Sequence, residues 1–174
     1  MQKEMAGILL KQFEEAFGGA EGARVFFAPG RINLIGEHTD YNGGHVLPCA
    51  IEMGTYCAMR RREDGALRMC SGNFPNSGII EWDLSDLANR AEAEWSNYPA
   101  GVVWALAESG LKPPNGFDAA FLGDIPNQSG LSSSASIEVV SGYAISELFG
   151  LNIQMVALAL TGQKAETVIG GGAE

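Results

Sequence analysis

Two stretches concentrate residues that could do chemistry. In the first, residues 28–44, Glu37, His38, Thr39, Asp40, Tyr41 and Asn42 follow one another in a single turn between two apolar runs. Six consecutive hydrogen-bonding side chains suit a polyhydroxylated ligand. Each hydroxyl donates and accepts, and one carboxylate can hold two neighbouring hydroxyls. Arg31 sits at the far end of the preceding apolar run, where its guanidinium could meet a phosphate with two parallel bonds. The same residues would also serve as a solvated polar hairpin loop.

The second stretch, residues 123–136, runs from an apolar segment through a turn into a helix beginning near Ser133. The first amides of a helix lack internal partners and carry the positive end of its dipole. Small residues there (Gly130, Ser132, Ser133, Ser134, Ala135) let a phosphate approach the backbone, and serine hydroxyls add donors and a ligand for Mg²⁺. A plain serine N-cap is the alternative. Three serines in a row close behind a glycine exceed what capping needs.

Other chemistries find little support. The sequence has no GxxxxGKS/T phosphate loop, no GxGxxG after a strand and no GxSxG elbow. Its two histidines, His38 and His45, share one loop and lack a third metal ligand at recognisable spacing. Cys49, Cys57 and Cys70 are odd in number and form no CxxC pair, which fits a reducing cytoplasm. Eleven Lys and Arg against 21 Asp and Glu leave a net charge of −10, so neither nucleic acid nor a membrane surface is expected as a partner. The N-terminus shows no secretory signal and the apolar runs are too short to cross a membrane. With 46% apolar and 18% charged residues, the 174-residue chain reads as one globular domain.

The elements that must position these residues follow from periodicity. Ala6, Leu9, Leu10, Phe13 and Phe17 put one apolar face on a helix over 3–17, stopped by Gly18-Gly19. Strands are predicted at 24–28, ending at Pro29-Gly30, and at 32–35, 46–51, 55–61, 66–71, 79–84 and 116–122. Asp64-Gly65 is a hairpin signal between two of them. Helices are predicted over 96–107 despite Pro99, over 135–149 and over 153–166. Strands cluster early and helices late, which gives an α+β class with a mixed or antiparallel sheet packed with helices.

Together, GRINLIGEHTDYNGG at 30–44 and GLSSSAS at 130–136 resemble the galactokinases, members of the GHMP small-molecule kinase superfamily. The first motif is nearly letter-for-letter the galactokinase signature; the second alone would give only the superfamily. The resemblance extends from about residue 12 to Glu166. It implies the GHMP kinase N-terminal domain (ribosomal protein S5 domain 2-like). It also implies transfer of the ATP γ-phosphoryl group to the O1 hydroxyl of α-D-galactose, with Mg²⁺. Glu37, His38, Thr39 and Asp40 would line the sugar site, and Arg31 would stabilise the transferring phosphoryl group. Gln128, Ser129, Gly130, Leu131, Ser132, Ser133 and Ser134 would wrap the ATP phosphates. Ser134 and Glu166 would hold Mg²⁺, and the Ser96-Asn97-Tyr98 neighbourhood with Trp95 is similar to a family segment near the adenine.

The sequence departs from the family pattern twice. Gln128 stands where the phosphate loop usually has glycine. After Glu166 the family continues with Asn and, about a dozen residues on, a catalytic Asp, whereas here Thr167 to Glu174 supply neither. The expectation is therefore one domain, residues 1–174, that binds galactose and ATP phosphates, with the C-terminal GHMP domain absent and little activity alone. A non-catalytic galactose- and ATP-binding regulator, or another GHMP kinase acting on a different substrate, are the alternatives. EHTDY is the galactokinase version of the first motif.

Overall fold

The parity of apolar residues along the strands decides which helix each face of the sheet receives. In the computed structural model, which describes residues 2–36, 43–88, 91–126 and 131–168, nine elements follow in order. They are α1 (Gln2–Phe17), β1 (Arg24–Ile35), β2 (Leu47–Arg61), β3 (Ala66–Ser71), β4 (Ile80–Asp83), α2 (Asn97–Glu108), β5 (Phe117–Gly123), α3 (Ser133–Phe149) and α4 (Met155–Val168). Short 3₁₀ turns occupy Pro75–Ser77 and Ala91–Ser96. The sheet order is β1-β2-β5-β3-β4. Neighbours are antiparallel except β3 and β5, which are parallel. This is the mixed sheet expected of the α+β class.

Tyr56, Ala58, Cys70 and Ala120 face α1, where Leu9 and Phe13 are fully buried. The alternate residues Cys57, Met59, Met69, Phe117, Ala119 and Phe121 face the other helices and meet Val102, Leu106, Val140 and Ile145. The period of two thus makes three layers, with α1 on one face and α2, α3 and α4 on the other. Among the described residues no helix is long and apolar enough to cross a membrane.

Three expectations are corrected. The segments 24–28 and 32–35 form one strand, as do 46–51 and 55–61. Pro29 is tolerated because β1 is an edge strand and the pairing register shifts between Pro29 and Arg31. Gly54 interrupts nothing: a Cβ there would lie 2.2 Å from Ala28 O, so the glycine permits close strand contact. The turn at Asp64-Gly65 does not make a hairpin, because β5 lies between β2 and β3. It ties neighbouring segments instead: Gly116 N donates to Asp64 O and Leu84 N to Gly65 O. Pro99 falls in the first turn of α2, where an N–H has no helical acceptor to lose.

Asp118 on β5 lies opposite Arg60 on β2 and Arg68 on β3, and is 1% exposed. Arg60 Nη2 reaches its Oδ2 at 2.7 Å, while Arg68 Nη2 and Arg62 Nη1 reach its Oδ1 at 2.7 and 3.1 Å. Arg60 also donates to Gly19 O at 3.0 Å and Phe17 O at 3.5 Å, which satisfies carbonyls at the end of α1. Replacing Asp118 by Asn would leave three guanidinium groups crowded around one neutral amide. Asp118→Asn is expected to cost about 3 kcal/mol in urea unfolding, since removing one partner of a buried ionic group is strongly destabilising. Unchanged stability would show that the arginines re-pair elsewhere.

Candidate functional site

The two chemistry-bearing stretches meet where the start of α3 is laid against β1. Arg31 N donates to Leu131 O at 3.2 Å. Gly30 makes this approach possible, because a Cβ at that position would lie 2.8 Å from Leu131 O and 2.9 Å from Ile125 Cδ1. Ser136, 2% exposed, donates its hydroxyl to Ala28 O at 2.8 Å and lies 2.9 Å from Thr55 Oγ1. The fourth serine of GLSSSAS is thus an anchor holding the helix to the sheet.

Ser132, at the N-cap of α3, has φ 60° and ψ 47° and makes no side-chain cap bond. A non-glycine residue in the left-handed region is uncommon and collects at functional sites. The first bond of the helix runs from Ser136 N to Ser132 O, so the preceding amides of the first turn are left for a ligand or solvent. The plain serine cap is not what the structure shows.

The antiparallel pair α3 and α4 brings the remaining residues together. Ser134 Oγ donates to Glu166 Oε1 at 2.7 Å. One turn further along, Gly162 faces Glu138, and a Cβ on it would sit 3.5 Å from both Glu138 Cβ and Oε2. A turn beyond that, Gly142 faces Leu158, whose Cδ1 would lie 2.5 Å from an added Cβ. Glycine alternates between the helices, so the axes stay close enough for a serine hydroxyl to reach a glutamate.

Beside this pair opens a cleft of about 160 Å³, whose walls include Thr55, Trp95, Tyr98, Phe121, Ser133 and Ser134. Phe74 and Trp95 also line it, their rings nearly parallel at 7° with centroids 6.4 Å apart. Trp95 Nε1 and Glu138 Oε1 are buried and have no hydrogen-bond partner among the described residues. Burial, and then the charge of Glu166, push the Glu138 carboxyl up to about 8. The Tyr98 phenol is raised chiefly by burial, then by Glu166 and Glu138.

Of the residues expected to act, Arg31, Leu131, Ser132, Ser133, Ser134 and Glu166 are brought together in this region. Glu37, His38, Thr39, Asp40, Gln128, Ser129 and Gly130 lie outside the described residues. In the 96–98 segment only Tyr98 lines the cleft, joined by Trp95. Ser96 is fully buried, donating to Ala93 O at 2.8 Å and accepting from Trp82 Nε1 at 3.0 Å, so its role is structural. Sequence reasoning missed Glu138. The signal was present: it stands four residues after Ser134, on the same helical face. Phe74 carried no comparable signal, because only the fold brings it to Trp95.

Residues 11–61 match the galactokinase galactose-binding signature, and residues 97–174 match the GHMP kinases N terminal domain. The galactokinase of Bacillus subtilis (strain 168) is 51% identical over 166 residues, 95% of this chain and 42% of that protein. That of Enterococcus faecalis is 49% identical over 162 residues, 93% of this chain and 42% of that protein. Lactococcus lactis galactokinase, solved in complex with galactose, superposes with a TM-score of 0.91 at 43% identity, over 97% of this chain and 44% of that one. Over nearly its whole length the chain is similar to part of the galactokinases. It corresponds to the N-terminal portion and spans about 42% of the length of these galactokinases. The wider GHMP fold is shared with Methanococcus jannaschii mevalonate kinase, at a TM-score of 0.72 and 21% identity over 88% of this chain and 49% of that one.

The contact between β1 and the start of α3 holds the galactokinase signature against the serine loop. Gly30→Ala is expected to destabilise the chain by about 1–3 kcal/mol, as overpacking does. It should also speed hydrogen exchange at the Arg31 amide. A slow, parent-like Arg31 amide in the folded variant would disprove the steric role of Gly30.

Proposed function

We propose that these residues form the galactose- and nucleotide-binding portion of an ATP-dependent galactose kinase, which makes galactose 1-phosphate. The observation that carries the reading is the 2.7 Å contact between Ser134 and Glu166 at the edge of a cleft with aromatic walls. The family resemblance assigns these two residues to one cation, although 32 positions separate them in sequence.

Phosphoryl transfer needs chiefly positioning and charge stabilisation. The base of ATP would enter the cleft against Trp95, Phe74 and Tyr98. The phosphates would then fall on the N-terminal amides of α3, whose dipole favours negative charge. A hydroxyl and a carboxylate are hard oxygen donors that fit Mg²⁺. When bound, Mg²⁺ supplies charge neutralisation at the phosphate oxygens. Ser134 and Glu166 would hold it, Arg31 would face the charge on the transferring group, and Glu37 and Asp40 would hold sugar hydroxyls with their carboxylates. We place the reaction in the cytoplasm, which supplies ATP and keeps Cys49, Cys57 and Cys70 as the free thiols they are here.

Galactose-dependent ADP release measures the reaction, with each substitution made in a complete galactokinase that carries these residues as its N-terminal portion. Ser134→Ala and Glu166→Gln should each lower kcat and raise the Mg²⁺ concentration needed for half-maximal rate. Asp40→Asn swaps an acceptor oxygen for an amide donor, which costs about 1–3 kcal/mol, or about 5- to 150-fold in galactose KM, with ATP KM unchanged. Equal losses for both substrates would instead mark loop misfolding. Parent-like Mg²⁺ dependence in both Ser134 and Glu166 variants would overturn the assignment of the cation site.

A further inference from the structure

Glu138 is a buried acid without a stated task. It is 2% exposed, and its Oε1 accepts no hydrogen bond from the described residues. It lies one helical turn beyond Ser134 on α3, facing Gly162, which lies one turn before Glu166 on α4. Glycine at 162 leaves the carboxylate room: even an added Cβ would stand off Oε2 by 3.5 Å. The other buried acid among the described residues, Asp118, is surrounded by three guanidinium groups. Glu138 has no such partner. Its carboxyl is near enough to feel the negative charge of Glu166, one turn along α4 from Gly162. Lys164, the cation nearest in sequence to Glu166, has its ammonium 5.1 Å from the Trp104 ring centroid.

Two carboxylates set together in a buried seam, one with an unused acceptor oxygen, make an environment that a cation relieves. We propose that Glu138 is a positioning residue for the divalent cation held by Ser134 and Glu166, an outer carboxylate that accepts from the cation's coordinated water. The proposal rests on the cation site of the preceding subsection and extends it by a residue on the same two helices. Outer carboxylates of this kind orient the direct ligands and strengthen metal binding without touching the metal.

Mn²⁺ tests it directly, because the paramagnetic resonance signal of free Mn²⁺ reports binding without catalysis. The full chain is titrated with Mn²⁺ as parent, Glu138→Gln, Glu138→Asp and Glu166→Gln, with thermal unfolding as the check on folding. Glu138→Gln keeps shape and removes charge. It should weaken Mn²⁺ binding by about tenfold, the low end of the loss on removing an outer partner. Glu138→Asp, which restores the charge, should recover most of the affinity, a rescue that a space-filling role would not produce. If Glu138→Gln loses the fold, Glu138→Asp and the parent carry the comparison, and a tenfold or larger loss in Glu138→Asp contradicts the proposal. Parent-like affinity in folded Glu138→Gln with lost affinity in Glu166→Gln overturns the role of Glu138 and leaves the cation site standing. Parent-like affinity in both overturns the cation site itself.

Discussion

The site depends on one close approach, that of the first turn of α3 to strand β1. The Leu131 carbonyl comes near enough to bond Arg31 N only because Gly30 has no side chain. The Ser136 hydroxyl fixes the next turn to Ala28 O. Residues about a hundred positions apart are thereby held within hydrogen-bonding distance. Neither contact contributes much energy by itself, since an ordinary hydrogen bond is worth about 0.5–1.5 kcal/mol net. Their importance is geometric. They fix where the helix begins relative to Arg31, and so where its unbonded amides point.

The two faces of the sheet do different work with buried charge. On the face of α1, Asp118 is satisfied from three sides, and Arg60 passes the interaction on to the carbonyls ending α1. Arg60 and Arg68 also lie over the rings of Phe13 and Phe17 at 5.1 and 5.3 Å, joining charge and packing. This is a closed network whose product is a docked helix. On the opposite face, Glu138 is buried with an open acceptor beside a second acid, and Trp95 has an open donor. Unsatisfied buried groups cost stability. Among the described residues two of the three such side-chain atoms, on Trp95 and Glu138, lie on this face, and the third, the Tyr56 hydroxyl, lies on the face of α1.

On the face opposite α1 the helix pair α3 and α4 acts as a ruler. Small residues at Gly142 and Gly162 set the separation, and that separation brings Ser134 to Glu166. A wider seam would leave both side chains in place on their helices and out of reach of each other.

The sequence alone marked the two stretches as candidates, carried the resemblance to the galactokinases and revealed most of the elements. Those depend on local order: periodicity of two or 3.6 residues, glycines at turns, and an uninterrupted run of polar side chains. Its misreadings were also local. Pro29 and Gly54 look like strand ends, yet one sits on an edge strand and the other where two backbones touch. Asp64-Gly65 reads as a hairpin, yet β5, about fifty residues on, inserts between its strands. Only the tertiary structure decided that Phe74 lies parallel to Trp95, that Ser134 touches Glu166, and that Glu138 is left without a partner. The reason is physical. Periodicity tells which way a side chain leaves its own backbone, whereas its partner depends on how distant segments pack, and that information is spread over the whole chain.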